Sequence, residues 1–403
     1  MKDAAQRHDA FVARLRKAAP APEPILDAFA RVPRHRFLPE VPLDEAYRDD
    51  AVVTRHENGV PTSSSSQPSL MARMLGLLDV APRHRVLEIG TGTGYNAAIL
   101  AELGAAVTTV ELQPEVAASA RFHLAGAAAP DEGPAEPGTV RVVTGDGASP
   151  PPGPYDRIIV TAGCWSLPAA LVGELVDAGV LVAPLRVNGV ELVFGLRREG
   201  DRLSGADAVS CGFMPLRGGA ERPWRWELGG GGLATADADL GVEGRGALDR
   251  LLATPGRAVE DPLGLVEGEH PMDALLWLGL QGDPLLSLVL PRGDGRPPWT
   301  VALDVLPASL LVIELGSAYG RIGGARLYGG EGALRACVAG MAGWRAAGSP
   351  GPADLELTIE PSEDRTGWSL PYAGPDGVAA MVRGAHRWTL RYRSSDFSPQ
   401  NEA

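Results

Sequence analysis

The sequence predicts an α/β protein whose first half is a doubly wound parallel sheet and whose second half is an added α+β domain. Short apolar runs alternate with helical segments between residues 86 and 184, which is typical of parallel sheets. Three closely spaced glycines follow the first of these apolar runs. The chain has 403 residues, too many for one core of ordinary size, so two or more domains are expected.

Apolar spacing predicts the elements of the first half in order. Residues 8–40 are expected to be helical and amphipathic, a polar loop follows at residues 62–68, and the next helix carries Leu70, Met74 and Leu77. Strands are expected at residues 86–89, 107–111, 140–144, 157–161 and 180–184. Helices are expected at residues 97–103, 114–124 and 168–176.

Composition predicts where the domains divide. Residues 1–217 form the first domain, with the helical segment at its start. Residues 218–244 are rich in Gly, Ala and Asp and are predicted to be a linker, with a long ordered loop as the alternative. Residues 245–403 form the second domain, which has apolar runs of its own at residues 274–280, 285–290 and 310–315.

Charge and cysteine content exclude several classes of protein. The net charge is −13, whereas nucleic-acid binders need a basic surface, so nucleic acid is not expected as the main partner. Cys164, Cys211 and Cys337 are widely spaced and form no C-x-x-C pair, so no metal site is expected and a reducing cytoplasm fits best. No apolar run is long enough to span a bilayer, and no membrane partner is expected.

A glycine-rich turn between the first strand and the next helix predicts a cofactor site. Glycines there permit positive φ and close approach of a ligand, and the helix start offers unpaired N–H groups to a carboxylate. A dinucleotide motif needs a third glycine where Tyr95 stands. The spacing is instead the E-x-G-x-G-x-G of class I methyltransferases, which bind S-adenosylmethionine and release S-adenosylhomocysteine. The predicted binding residues in this turn are Glu88, Gly90, Thr91, Gly92 and Gly94.

Later strand ends complete the predicted cofactor site. Glu111 ends the second strand, roughly 20 residues on, where an acid accepts hydrogen bonds from ribose hydroxyls. Leu112 follows it, and Asp146 and Gly147 follow the third strand in a turn suited to adenine. Thr161 ends the fourth strand. A Rossmann-like scaffold without this cofactor is the alternative.

Several motifs in order resemble protein-L-isoaspartate O-methyltransferases over residues 28–216, a little under half of the chain. They are AFARVPRHRFLP at residues 28–39, AY at 46–47, LEIGTGTGY at 87–95, GDG at 145–147, YDRIIVTA at 155–162 and FMPL at 213–216. The resemblance implies a class I methyltransferase fold and methylation of an aspartyl or isoaspartyl carboxylate in a peptide or protein.

The family's substrate loop, TISQP, aligns with SSSQP at residues 64–68. The resemblance therefore implies that Ser66 contacts the carboxylate, with Ser65 and Gln67 as further catalytic candidates. This chain departs from the family in having Ser65 for isoleucine and Met71 where a histidine often stands. A flexible polar loop with a helix cap is the alternative.

Arginines near the start have two interpretations. Arg31, Arg34 and Arg36, together with His35, either contact acidic groups of the substrate or form a solvated helix face.

The TSSSSQP segment and the added C-terminal region resemble a subset of the family associated with ribosomally made peptides, including graspetide and lanthipeptide systems. Those enzymes esterify an aspartate side chain, which then cyclises to aspartimide. The resemblance implies a modified precursor peptide as partner, with residues 245–403 recognising it. A repair methyltransferase for isoaspartyl residues and a non-catalytic cofactor-binding recruitment module are the alternatives.

Overall fold

A computed structural model describes residues 2–57, 60–127, 133–220, 224–237, 239–281, 285–290, 299–305, 308–315, 322–363, 372–373 and 378–393. The chain divides into two compact units. The first comprises Met1–Pro184, Val193–Gly205 and Cys211–Ala220, and the second comprises Leu185–Leu192, Ala206–Ser210 and Glu221–Ala403.

The first unit begins with three helices, a 3-10 turn and a hairpin, and it continues as alternating strands and helices. In chain order its elements are α1 (Lys2–Ala18), α2 (Glu23–Arg31), a 3-10 turn (Arg34–Phe37), α3 (Leu43–Ala46), β1 (Val52–Glu57), β2 (Val60–Ser65), α4 (Pro68–Leu78), β3 (Arg85–Ile89), α5 (Tyr95–Glu102), β4 (Ala106–Glu111), α6 (Pro114–His123), β5 (Thr139–Thr144), β6 (Tyr155–Val160), α7 (Ala169–Gly173), β7 (Leu175–Val187), β8 (Val190–Glu199) and β9 (Arg202–Ala206).

A mostly parallel sheet forms the centre of this unit. Its strand order is β9-β8-β7-β6-β3-β4-β5. Strands β5, β4, β3, β6 and β7 are parallel to one another, and β9 is antiparallel to β8. Because β3 and β4 lie in the middle, their apolar residues are buried, as parallel sheets require. The α/β class I methyltransferase fold predicted from the sequence is confirmed, and so are its five strands.

Three local predictions differ from the structure. The predicted loop at residues 62–68 is largely strand β2, which pairs antiparallel with β1. Ser63 and Ser65 are buried in this hairpin, since small hydroxyl side chains fit the inner face of a strand. The predicted helix at residues 168–176 stops at Gly173, and the chain enters β7 two residues later. Residues 8–40 hold parts of two helices and a turn, separated by prolines that end helices.

The second unit is built mainly from antiparallel strands. Its elements are β10 (Val209–Ser210), β11 (Trp224–Glu227), β12 (Leu233–Ala236), α8 (Gly241–Leu252), β13 (Arg257–Ala258), α9 (Pro271–Leu280), β14 (Leu285–Val289), β15 (Trp299–Val305), β16 (Ser309–Leu315), β17 (Ile322–Gly329), α10 (Gly332–Ala346), a 3-10 turn (Pro352–Asp354), β18 (Leu355–Pro361), β19 (Tyr372–Ala373), β20 (Val378–Arg383) and β21 (His386–Tyr392).

Seven of these strands form one sheet in the order β11-β12-β14-β15-β16-β17-β13. Every pair in it is antiparallel. Its apolar face packs with α8, burying Leu248 together with Leu288 and Leu310. The last four strands pair in the order β19-β20-β21-β18. This arrangement is the added α+β domain that the sequence predicts.

The predicted linker at residues 218–244 is replaced by ordered strands. Within it, β11 and β12 pair with each other, and β12 pairs with β14. Ala234 and Ala236 are fully buried. The Asp237 carboxylate, also buried, accepts a hydrogen bond of 2.6 Å from Arg186 Nε. The glycine run between the two strands is therefore a turn, and the second unit begins earlier than residue 245.

The predicted division at residue 217 also differs from the units observed. The tip of the β7–β8 hairpin, Leu185–Leu192, belongs to the second unit. There Asn188 Nδ2 donates to the carbonyl of Gly279 at 2.6 Å, and Asn188 Oδ1 accepts from Leu285 N at 3.3 Å. Such long-range pairing has no local sequence signal. No helix in the described parts of the chain combines the length and apolar character needed to cross a membrane.

Candidate active site

The turn between β3 and α5 has the backbone shape that its glycines predict. Gly90, Gly92 and Gly94 have φ values of +96°, +53° and +87°, a region that other residues rarely adopt. A Cβ at Gly92 would lie 3.1 Å from the carbonyl oxygen of Ser64. The neighbouring Thr91 hydroxyl is buried and lies 2.7 Å from that of Thr109. The turn is therefore tightly enclosed by the chain and needs glycine for both conformation and space.

Glu88 lies beneath this turn and is fully buried. Its two carboxylate oxygens accept hydrogen bonds from Asn96 Nδ2 at 2.7 Å and from Thr109 Oγ1 at 2.6 Å. Burial raises the pKa of Glu88 to about 7, although these two hydrogen bonds act in the opposite direction. The sequence predicts Glu88 as a cofactor-binding residue, but in the structure its carboxylate is fully buried, and its two hydrogen bonds connect α5 with β4 beneath the glycine turn.

Glu111 stands at the end of β4, next to the glycine turn. Its Oε2 accepts from Gly92 N at 3.0 Å and its Oε1 accepts from Gln113 N at 3.1 Å. Each carboxylate oxygen has a second lone pair, so hydroxyl donors of a ribose can still be accepted. Leu112, the next residue, is 37% exposed and presents an apolar side chain at this edge.

Asp146, Gly147 and Thr161 lie at the ends of β5 and β6. Asp146 Oδ1 accepts from Ala148 N at 2.9 Å, and Oδ2 accepts from Gly219 N at 2.6 Å. A Cβ at Gly147 would come within 3.0 Å of the Ile89 side chain. The Thr161 hydroxyl donates to the Gly90 carbonyl at 2.7 Å. Parallel strands bring all of these residues to one edge of the sheet, where α/β proteins bind ligands.

The residues at this edge fit S-adenosylmethionine. The glycine turn leads directly into the start of α5, whose first N–H groups suit a carboxylate. The Glu111 carboxylate would accept hydrogen bonds from ribose hydroxyls, and Leu112 presents an exposed apolar side chain at the same edge. Among the described residues, no group of three or more His, Cys, Asp or Glu side chains is placed to hold a metal ion.

The predicted substrate segment reaches the same edge. Ser65 is buried, Ser66 is half-buried and Gln67 directly precedes α4. Gln67 Nε2 donates to Asp49 at 3.3 Å, and it makes no side-chain cap to α4, so the helix-cap alternative does not describe this segment. The start of the segment is held by Gln113 Nε2, which donates to the Thr62 carbonyl at 3.2 Å.

Sequence reasoning missed three supporting residues. Arg34 is fully buried and donates to main-chain carbonyls, including that of Ser66, so neither interpretation offered for the arginine group describes it. Gln113 links the substrate segment to Glu111, because its side chain donates to the Thr62 carbonyl and its main-chain N–H donates to Glu111 Oε1. Arg217 Nη2 donates to the Thr62 carbonyl at 3.3 Å. Spacing alone could not single out Arg34, because Arg31 and Arg36 have the same local context and are exposed.

Comparison with known proteins gives consistent matches. A family model described as protein-L-isoaspartate(D-aspartate) O-methyltransferase (PCMT) matches residues 6–221. A protein-L-isoaspartate O-methyltransferase from Methanoregula boonei is 39% identical over 196 residues, covering 48% of this chain and 84% of that protein. One from Koribacter versatilis is 35% identical over 207 residues, covering 51% and 87%.

A solved structure called protein-L-isoaspartate O-methyltransferase is similar in fold beyond the first unit. Its TM-score is 0.50 at 23% identity, and the match covers 88% of this chain and 96% of that one. Because residues 6–221 make up only about half of this chain, the structural match extends well into the C-terminal half.

Proposed function

Because the chain belongs to the protein-L-isoaspartate(D-aspartate) O-methyltransferase family and is an S-adenosylmethionine-dependent O-methyltransferase of aspartyl or isoaspartyl carboxylates, we propose that it methylates isoaspartyl residues in damaged proteins or peptides of the cytoplasm. The names of its relatives support this substrate class. Repair of isoaspartyl residues is one of the alternatives that the sequence leaves open. We prefer it to peptide tailoring because the relatives are named as isoaspartate methyltransferases.

One observation supports the assignment of residues 64–67 to the substrate site. The carbonyl oxygen of Ser64 lies 3.1 Å from the position of a Cβ on Gly92, so the substrate segment passes directly over the cofactor turn. Ser66 is two residues further along this segment. We therefore assign Ser66 to contacting the substrate carboxylate, with Ser65 and Gln67 shaping its surroundings.

Methylation of a carboxylate requires the protein mainly to position the substrate. The carboxyl group of a substrate has an ordinary pKa of about 4 and is already ionised at neutral pH, so no strong base is required. When bound, S-adenosylmethionine supplies a methyl group. Residues 64–67 hold the carboxylate oxygen at the turn and keep water away, and such orientation can provide most of the acceleration. Attack by the next backbone nitrogen on the ester then expels methanol and closes a succinimide ring without further catalysis.

A methylation assay tests this function. The full-length protein is incubated with S-adenosylmethionine and either a short isoaspartyl peptide or the same peptide with an ordinary aspartyl residue. We expect methyl gain, followed by loss of methanol, in the isoaspartyl peptide alone. Equal or exclusive reaction of the aspartyl peptide would reject the repair assignment.

Aspartimide-forming tailoring of a ribosomally made, cyclised peptide is the second candidate. The four-serine segment at residues 63–66 and the second unit motivate it, and in this proposal the second unit recognises the precursor peptide. The fold match over 88% of the chain weakens the second of these arguments, because a protein named as an isoaspartate methyltransferase shares that extension.

A direct competition separates the candidates. The enzyme is given the linear precursor peptide, its cyclised form and the generic isoaspartyl peptide, and mass spectrometry follows methylation. Preference for the cyclised precursor would favour tailoring, whereas efficient reaction of the isoaspartyl peptide with no reaction of the precursor would favour repair. Binding of the cofactor without turnover of any substrate would support the recruitment-module alternative.

A further inference from the structure

Arg34 is an unusual buried cation. It follows α2 in the 3-10 turn Arg34–Phe37, and none of its side chain is exposed. Among the described residues no carboxylate lies within 4.0 Å of its guanidinium to form an ion pair. Burial lowers the pKa of Arg34, since water no longer solvates its charge. A charge in this position must be compensated by hydrogen bonds, because burying it bare is very costly.

Main-chain carbonyl groups provide that compensation. Nη1 donates to the carbonyls of Ala46 at 3.1 Å and Arg48 at 2.9 Å. Nη2 donates to the carbonyl of Asp50 at 3.1 Å. These three acceptors belong to the end of α3 and the chain leading into β1. The guanidinium therefore fixes the strand that pairs with the substrate segment.

The same guanidinium also holds the substrate segment itself. Nη2 donates to the carbonyl of Ser66 at 3.0 Å and to that of Ser65 at 3.3 Å, and the Ser65 hydroxyl lies 3.4 Å away. A planar guanidinium is suited to this task because its donors point in fixed directions. These two carbonyl groups lie on either side of the Cα atom of Ser66, the residue that we assign to contacting the substrate carboxylate.

The segment that carries Arg34 is anchored on the helix of the cofactor turn. The ring of Tyr95, the first residue of α5, lies 5.3 Å from that of Phe37 and 5.9 Å from that of Phe29, measured between centroids. Tyr95 is buried, as is Phe29. Arg34 therefore connects a segment packed on α5 with the backbone of the substrate segment.

We propose that Arg34 is a positioning residue for methyl transfer, which fixes the main chain of residues 65–66 relative to the cofactor turn. This inference rests on the assignment of that segment to the substrate. Arg34 acts through the backbone and contacts neither cofactor nor substrate. Its loss should therefore lower kcat much more than it weakens binding of S-adenosylmethionine.

Variants R34Q and R34K test the proposal in the full-length protein, with R31Q as a matched control. Arg31 lies three residues earlier, is exposed and pairs with Glu102 on the surface. We expect kcat on an isoaspartyl peptide to fall about 100-fold in R34Q, the scale of a misplacement of about 1 Å. R34K should recover part of the rate, because lysine keeps the charge and some donors. The Kd for S-adenosylmethionine should change less than about threefold, and R31Q should match the wild type.

Hydrogen exchange supplies a readout that does not depend on turnover. In R34Q and R34K, the amide protons between residues 60 and 66, where Pro61 has none, should exchange faster, while those of β3 and β4 remain as protected as in the wild type. Should the wild-type protein fail to methylate the isoaspartyl peptide, the proposed function fails, and the exchange pattern still decides the role of Arg34.

Four results would overturn the inference. One is a folded variant with wild-type kcat and unchanged exchange at residues 60–66. Another is an equal loss of kcat and cofactor affinity, or faster exchange throughout the sheet, which would indicate general loosening. Failure of both variants to fold would also contradict it, since Arg34 would then be a determinant of folding.

Discussion

Replacing Glu88 with glutamine tests whether the carboxylate beneath the glycine turn is protonated in the folded protein. Burial raises the pKa of Glu88 from its ordinary value of 4.5 to about 7. The folded protein therefore holds this proton more tightly than the unfolded chain. The resulting stabilisation is fully present below about pH 4.5 and is lost as the pH rises through about 7.

The magnitude follows from the two pKa values. The difference between 4.5 and about 7, at about 1.36 kcal/mol for each unit, amounts to about 3 kcal/mol. Glutamine has the same shape and no charge to bury. Asn96 Oδ1 is buried and has no hydrogen-bond partner among the described residues, so rotating that amide lets it accept from the new side chain. Relative to the wild type, E88Q should therefore gain about 3 kcal/mol in free energy of unfolding between pH 4 and pH 8.

Thermal unfolding at a series of pH values measures this gain. For a unit of about 200 residues, about 1 kcal/mol shifts Tm by roughly 2–4 °C, so the difference in Tm between E88Q and the wild type should grow by about 6–12 °C. E102Q is the control, because it removes a carboxylate from the exposed pair with Arg31. A Tm difference between E88Q and the wild type that stays constant from pH 4 to pH 8 would refute the argument from burial.

Further substitutions test the cofactor and substrate assignments. E111A should weaken binding of S-adenosylmethionine by about 1.5–3 kcal/mol, the worth of hydrogen bonds to a charged group, and unchanged affinity by calorimetry in a folded variant would reject the ribose assignment. G147A should lower stability by about 1–3 kcal/mol, because its Cβ would overlap Ile89, whereas G145A, where nothing lies within 4 Å, should leave Tm unchanged. S66A should reduce methyl transfer far more than cofactor affinity, and a parallel fall in both would reassign this serine.

The grouping of the predicted cofactor residues at one edge of the sheet could be predicted from the sequence, because the signals are local. Gly90 to Gly94 occupy a strand-to-helix turn whose φ values follow from residue type. Glu111 and Asp146 end strands whose apolar runs are short and distinct. In a parallel sheet the carboxyl ends of adjacent strands meet at one edge, so recognising the strands is enough to group these residues.

The serine hairpin and the strands within the predicted linker could not be predicted, because they depend on contacts between residues far apart in the chain. Ser63 and Ser65 look like a polar loop until β1 pairs with β2 and buries them. The glycine-rich stretch after residue 218 looks like a linker until β12 pairs with β14, more than 50 residues later. Such pairings are decided by the packing of the whole unit and leave no periodic pattern in a short window.

The hydrogen bonds of the buried Arg34 explain how the backbone of a segment made almost entirely of serine is held in one position. Four consecutive serines have no apolar side chains to pack, so the hydrophobic effect cannot fix their position. Their backbone must then be held by hydrogen bonds. Ser63 to Ser65 pair with β1, the Arg34 guanidinium donates to the carbonyls of Ser65 and Ser66, and Gln113 donates to the carbonyl of the preceding Thr62. Holding the chain by its carbonyls leaves the exposed part of Ser66 available to a ligand. Ser65, which stands where the family motif has isoleucine, has its hydroxyl 3.4 Å from Arg34 Nη2, and its carbonyl is held by the same nitrogen.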